Sequence, residues 1–229
     1  KNIYLLIHHS FTKPRMWKSL INLIDLMIGK YVKSLFFVSH ATKTSIIKNT
    51  TLFSLFKNKS YVIHNGVTLK KFKKTKVKEL NVKSGTLKIG MLSRIERYKG
   101  QSDLIDAFAN LPKKIKSKYK VFLVGSGNLK EVSFLKKKIL KNNLSNNIKI
   151  IKYINKDSLI ILSNFDLFLS LTRDFEGFGY SIAEALYVGT PVISTKVGGV
   201  TEYLNRKNSE LIKPMETKKL TELLKNFTK

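Results

Sequence analysis

Between residues 87 and 226, short apolar runs alternate with amphipathic stretches at close intervals, and this alternation leaves the chain few folds to choose from. Runs rich in Val, Ile, Leu and Phe over 87–93, 119–124, 147–151, 165–170, 191–194 and 209–212 read as strands. The segments 100–110, 128–141, 156–163, 180–188, 199–204 and 216–226 that follow them read as helices. Strands alternating with helices through short loops form βαβ units. The expectation is therefore an α/β fold with a parallel sheet, its ligand-binding loops at the carboxyl edge of the strands.

The first part of the chain follows the same pattern more loosely. Residues 2–8 read as a buried strand ending in His8-His9. Residues 14–31 read as an amphipathic helix with Leu20, Leu23, Ile24, Met27 and Ile28 on one face. A second strand covers 35–38, Ser39 sits at the N-cap position before a helix over 41–48, and a third strand at 61–63 ends in the turn chemistry of His64-Asn65-Gly66. The lysine-rich stretch 67–85 has little apolar periodicity and reads as the passage into a second domain. Two Rossmann-like domains are expected, over 1–66 and 67–229, and no internal repeat is evident.

Charge is the unusual part of the composition. Lys and Arg total 43 against 15 Asp and Glu, a net charge of +28, yet only five of the cations are arginine. Nucleic-acid readers rely on arginine forks and gather their cations on one face. The lysines here are dispersed, which argues against a specific nucleic-acid partner. Two readings stand: a coding bias, or a peripheral hold on an anionic membrane or polyanion. With no cysteine, disulfides and thiolate catalysis are excluded. The most apolar stretch, 20–28, is interrupted by Asn22 and Asp25 and falls short of the roughly 20 residues that cross a bilayer.

Three loops carry candidate chemistry. In Ile89-Gly-Met-Leu-Ser-Arg-Ile-Glu-Arg-Tyr-Lys-Gly100, Arg94 and Lys99 lie on a strand-to-helix loop where both can converge on one diphosphate. Lys99 reads equally as a solvated charge. In Val124-Gly-Ser-Gly-Asn128, Gly125 and Gly127 permit close approach of a ligand, or simply a turn needing positive φ. In Asp174-Phe-Glu-Gly-Phe-Gly-Tyr-Ser-Ile-Ala-Glu184, Glu176 stands on a glycine-flexed loop before a helix start. Carboxylates there suit sugar hydroxyls, and the N–H groups suit phosphate. Glu184 has a second reading, since Ser181-x-x-Glu184 fits a capping box; Glu176 is expected to be exposed and without such a structural role. His8, at a strand's carboxyl end, can donate to a substrate hydroxyl or be structural. No His, Asp or Glu cluster has metal-ligand spacing, so no protein-held metal is expected.

Together with Val38-Ser-His-Ala-Thr42, Val62-Ile-His-Asn-Gly-Val67, Phe165-Asp-Leu-Phe-Leu-Ser170, Gly189-Thr-Pro-Val-Ile-Ser194 and Val197-Gly-Gly-Val-Thr-Glu202, these segments resemble the retaining nucleotide-sugar glycosyltransferases of family 4, also called group 1, with their two-domain GT-B fold. The resemblance covers nearly the whole chain. It implies that Arg94 and Lys99 bind the donor diphosphate and carry the leaving group's charge. Glu176 and the N–H groups of Phe178, Gly179 and Tyr180 would hold the donor sugar, and Glu184 the ribose hydroxyls. His8 would reach the sugar from the other domain, while Gly125 and Gly127 would shape the nucleotide pocket. The family's His-Asp after the first strand reads His8-His9 here, and its opening Gly-rich loop and closing helix are not in the sequence. A fragment is therefore expected, with a nearly complete donor-binding domain behind a partial acceptor-side domain.

The implied activity is transfer of a hexose from a nucleotide-sugar to a glycan or lipid-linked acceptor, in cell-surface polysaccharide or glycolipid synthesis. No cofactor is implied. The setting would be cytoplasmic, peripheral at the inner face of the membrane. The alternatives are a GT-B epimerase acting on the nucleotide-sugar itself, and a non-catalytic basic module that binds membrane or polyanion.

Overall fold

A computed structural model describes residues 3–8, 31–49, 57–67 and 71–227. The helix expected over 14–31 lies, apart from Tyr31, outside them. The chain divides into two units: one comprises residues 1–66 with 174–179 and 197–203, the other comprises 67–173, 180–196 and 204–229.

The second unit carries a six-stranded parallel sheet. Its strands are β4 (Leu87–Leu92), β5 (Tyr119–Val124), β6 (Ile148–Ile151), β7 (Leu167–Ser170), β8 (Val192–Thr195) and β9 (Glu210–Ile212), in the order β6-β5-β4-β7-β8-β9. The chain winds outward from β4 to β6, returns to the other side of β4 at β7, and winds outward again. That reversal makes the carboxyl ends of β4 and β7 the topological switch point, where open α/β sheets place ligands.

The helices of this unit are α2 (Gln101–Ala109), α3 (Lys113–Lys116), α4 (Leu129–Lys141), α5 (Ser158–Ser163), α6 (Tyr180–Tyr187) and α7 (Thr217–Asn226). Their apolar stripes cover a sheet in which β5, β7 and β8 are nearly continuous in buried residues, as a two-sided parallel sheet requires. Ile89, Met91, Val121, Leu123, Leu167 and Leu169 pack with Leu104 and Phe108 of α2 and with Leu220 and Leu224 of α7. Removing any one of these leucines to alanine would cost about 2–5 kcal/mol. Tyr119 is buried, which raises its pKa, and its hydroxyl donates to the carbonyls of Leu224 (2.9 Å) and Phe227 (2.8 Å), groups that the end of a helix leaves unpaired.

Among the described residues, the first unit holds three parallel strands, β1 (Ile3–Ile7), β2 (Val32–Phe37) and β3 (Ser60–Val62), in sequence order, with α1 (His40–Asn49) between the last two. Val32, Leu35 and Phe37 pack with Ile46 of α1. Every early N–H of α1 is accounted for. Glu202 accepts from His40 (3.0 Å) and Ala41 (2.8 Å), Ser39 Oγ accepts from Thr42 (3.0 Å), and the Ser39 carbonyl accepts from Lys43 (3.0 Å). Ser39 is thus the N-cap that its position in the sequence predicts.

Candidate functional site

Arg94, Lys99, Gly125, Gly127, Tyr180 and Glu184 belong to the second unit, whereas His8, Glu176, Phe178 and Gly179 belong to the first. Within the second unit, the loop that leaves β4 runs beside the glycine turn that leaves β5. Ser93 N–H donates to the Val124 carbonyl (3.0 Å), and Ile95 N–H to the Ser126 carbonyl (2.7 Å). Gly125 has φ +147°, and a Cβ on it would strike the Ser93 carbonyl; one on Gly127 would strike the Ile95 carbonyl. Both glycines therefore serve loop-to-loop contact on either side of Arg94. Buried Gln101, the first residue of α2, fixes the same loop by donating to Ser93 Oγ (3.1 Å) and to the Arg94 carbonyl (2.8 Å).

The Arg94 side chain is 63% exposed, with Nη1 at 2.7 Å from Glu96 Oε1. Its Nη2 donates to the Tyr98 hydroxyl at 2.8 Å. Lys99 Nζ lies 5.2 Å from the centre of the same Tyr98 ring, within cation–π range. The two cations expected to act together thus share one aromatic support. A guanidinium has five N–H donors, so these contacts orient the Arg94 fork without exhausting it. Tyr98 is itself anchored, its carbonyl accepting from Arg173 N–H (2.7 Å), while the Arg173 guanidinium grips Asp103 through two bonds of 2.8 and 2.6 Å.

Glu184 faces the start of α5. Burial raises its pKa; a hydrogen bond with Ser158 lowers it in part, and the charge of Asp157 raises it further. The capping-box reading requires Ser181 to lie outside the helix, but α6 begins at Tyr180. Ser181 is inside the helix, and the Glu184 carboxyl is held instead by a residue of a neighbouring helix.

In the first unit, segments 174–179 and 197–203 interlock. Gly199 N–H donates to the Glu176 carbonyl at 2.8 Å. A Cβ on Gly198 would strike the Glu176 backbone, and one on Gly199 the Gly177 carbonyl and Ser39. Tyr203 donates its hydroxyl to the carbonyls of Phe178 (2.7 Å) and Gly179 (3.3 Å), with its ring 5.3 Å from that of Phe178. Burial, and then the charge of Glu176, push the Tyr203 pKa well up, so the hydroxyl keeps its proton as a donor. Glu176 is expected from the sequence to be exposed on its loop. It is half-buried, because the Gly198-Gly199 pair presses on its backbone. Exposed His8 turns its carbonyl toward the α-carbon of Gly177, which puts it at the Glu176 loop.

Glu202 completes this group. Burial alone would raise its pKa, but the Ala41 N–H, the His64 ring and the His40 N–H all favour the carboxylate, and the balance is a lowered value. Sequence reasoning gave no role to Gln101, Tyr98, Tyr203 or Glu202. Gln101, Tyr203 and Glu202 act on backbone atoms or on partners distant in sequence, for which residue spacing carries no signal, and Tyr98 supports Arg94 across an irregular loop whose path the spacing does not fix. Glu202 alone had a hint, standing three residues after a Gly-Gly pair.

The family described as glycosyl transferases group 1 matches residues 72–229. An uncharacterized glycosyltransferase of Methanocaldococcus jannaschii is 29% identical over 215 residues, covering 88% of this chain and 56% of its own length. A GDP-mannose-dependent monoacylated alpha-(1-6)-phosphatidylinositol monomannoside mannosyltransferase of Corynebacterium glutamicum is 30% identical over 176 residues, covering 70% of this chain and 44% of its own length. The chain spans about half the length of these curated relatives. Among solved structures, HepE of Anabaena in complex with UDP and glucose superposes with a TM-score of 0.78 at 21% identity, covering 98% of this chain and 61% of that one. A Rickettsia africae glycosyltransferase gives 0.73 at 23% identity, over 96% of this chain and 58% of that one. The parallel α/β sheets thus have the fold of GT-B glycosyltransferases. With the family match extending over most of its length, the chain belongs to the glycosyl transferases group 1 family.

Proposed function

We propose that the protein transfers a sugar from a nucleotide diphosphate-sugar to a hydroxyl of a glycan or lipid-linked acceptor, with retention of anomeric configuration, as in family 4. The observation that carries this reading is the Arg94 loop. It sits at the switch-point end of β4, braced by Gln101 and by the Gly125 turn, with a guanidinium fork presented on the surface. Support for the donor class comes from HepE, solved with UDP-glucose, and from the GDP-mannose-dependent relative.

In this reading Arg94 and Lys99 bind the diphosphate and stabilise the charge that accumulates as the anomeric carbon–oxygen bond to phosphate breaks. The acceptor oxygen bonds to that carbon, and its proton leaves with the phosphate. Glu176 and the N–H groups of Phe178, Gly179 and Tyr180 hold the sugar hydroxyls, Glu184 holds the ribose, and His8 adds a hydrogen bond to the sugar. Gly125 and Gly127 shape the nucleotide pocket from the backbone. The side chains supply the electrostatics of the step, with no metal ion or other cofactor needed at the diphosphate.

The acceptor chemistry follows from charge and setting. A net charge of +28 favours peripheral contact with an anionic membrane, where lipid-linked acceptors reside. Among the described residues, no helix is long and apolar enough to cross a membrane. The proposed setting is the cytoplasmic face of the membrane, in polysaccharide or glycolipid synthesis, with a hexose as the transferred group.

Titration of the protein with UDP-glucose and GDP-mannose tests the assignment. Binding of one of them, weakened in both Arg94→Ala and Glu176→Ala, is expected. Undiminished affinity in both variants would overturn the site.

A further inference from the structure

The fold draws two histidines and a carboxylate together from three separate backbone segments. His40 is the first residue of α1, His64 follows β3, and Glu202 closes the 3-10 turn Gly198–Glu202. His64 Nε2 and Glu202 Oε2 are 2.8 Å apart although the residues are 138 positions apart in sequence. One ligand atom from each of the three residues lies within 4.8 Å of the others. The His40 and His64 rings are 5.7 Å apart, centre to centre. All three residues are exposed, so an ion has a path in from solvent.

We propose that His40, His64 and Glu202 form a zinc-binding site. Two imidazoles and one carboxylate are a donor set that suits Zn²⁺, with water completing the tetrahedron. Tetrahedral zinc with bonds of about 2.0–2.2 Å sets its ligand atoms roughly 3.3 Å apart. The His64 and Glu202 atoms therefore need to separate by only about half an ångström to admit the ion. Exposed His40, at the end of a helix, closes the longer gap by side-chain rotation.

Two features favour a metal over a plain surface hydrogen bond. First, the carboxylate is already oriented: Glu202 accepts from the backbone N–H groups of His40 (3.0 Å) and Ala41 (2.8 Å). Outer-shell donors of this kind fix a ligating carboxylate in place. Second, the proton between His64 and Glu202 is exchangeable at no net cost in charge. The imidazole shifts to its Nδ1–H tautomer, and Nε2 offers its lone pair to the ion. The partial positive charge at the start of α1 opposes a cation, but it is smaller than the full negative charge of Glu202.

The ion would clamp three segments at once. Glu202 ends the same short turn whose Gly199 bonds the Glu176 carbonyl, so zinc would also stiffen the loop that carries Glu176. Neither the binding nor this stiffening depends on the sugar-transfer reading, because both are read without any donor.

Calorimetric titration of the tag-free protein with ZnCl₂ tests the site, with Co²⁺ absorption reporting the geometry. One equivalent of zinc, a tetrahedral cobalt spectrum and a zinc-dependent rise in melting temperature are expected. His40→Ala and His64→Ala should each weaken zinc by on the order of 10–100-fold while melting normally in the absence of metal. Replacing the chain's other two histidines, His8 and His9, should leave zinc affinity unchanged. No binding to the wild type, binding retained in either His40→Ala or His64→Ala, or loss on replacing His8 and His9 would overturn the proposal.

Discussion

Tyr203 donates its hydroxyl proton to the carbonyl of Phe178 at 2.7 Å, which fixes the backbone just where N–H groups are proposed to receive a sugar. Tyr203→Phe removes the donor and leaves the carbonyls of Phe178 and Gly179 short of a partner. The expected result is a stability loss of about 1–3 kcal/mol together with weaker donor binding. Denaturant unfolding and nucleotide-sugar titration of the same variant check both. Unchanged affinity would show that the hydroxyl holds the fold and has no part in the site.

Gln101 fixes Arg94 through a main-chain contact, so replacing it separates the position of that loop from its charge. In Gln101→Leu the guanidinium remains but its loop loses two hydrogen bonds. Donor affinity should fall about tenfold, equivalent to about 1.4 kcal/mol. Arg94→Lys, which keeps the charge without the fork, should lose at least as much. Isothermal titration with the preferred donor measures both variants.

Glu184 makes stability depend on pH. Its folded pKa is raised, chiefly by burial, so the folded chain holds this proton more tightly than the unfolded chain. Ionisation therefore costs stability at pH above the folded value, and the cost disappears below the unfolded value of about 4.3. Glu184→Gln keeps a partner for Ser158 without the charge. It should melt higher than the wild type at neutral pH, and the difference should shrink to nothing as the pH falls below about 4. Thermal melts across that range decide it. Donor affinity should drop in the same variant, since the amide accepts ribose hydroxyls less well than the carboxylate.

Membrane contact through dispersed lysines should behave as charge without specificity. Sedimentation with anionic vesicles should show binding that falls steeply as salt rises from about 0.1 to about 0.5 M, and none with neutral vesicles. Salt-independent binding would point to an apolar contact instead.

The sequence exposed the frame of the fold because strand and helix periodicities are local. β5 spans Tyr119–Val124 as the pattern predicts, and α4 begins at Leu129 behind an Asn128 cap, one residue after the start read from the pattern. Short 3-10 turns such as Arg97–Lys99 went unread, since one turn has no periodicity. The interlock of Gly199 with Glu176, the support of Arg94 by Tyr98 and the meeting of His64 with Glu202 were equally invisible. The first joins two backbones and the last spans 138 positions, while Arg94 and Tyr98, only four residues apart, meet because of a loop path that has no periodicity to read. Glu176 shows the limit best: its loop was legible, but the glycines that press on it come from another turn.

The return of the chain from β6 to β7 has a consequence for how the sheet assembles. β4 and β7 meet through only two registered pairs, Ile89 with Leu167 and Gly90 with Phe168, the shortest pairing in that sheet. Lys88 and Asp166, 78 positions apart, reinforce it: Lys88 N–H donates to the Asp166 carboxylate, and Asp166 N–H to the Lys88 carbonyl, each at 2.8 Å. Strands β4 to β6 and β7 to β9 can each zip from neighbours in sequence, whereas this seam must first close a long loop. The two halves of the sheet are therefore natural folding units, and the seam between them sets the pace at which they become one.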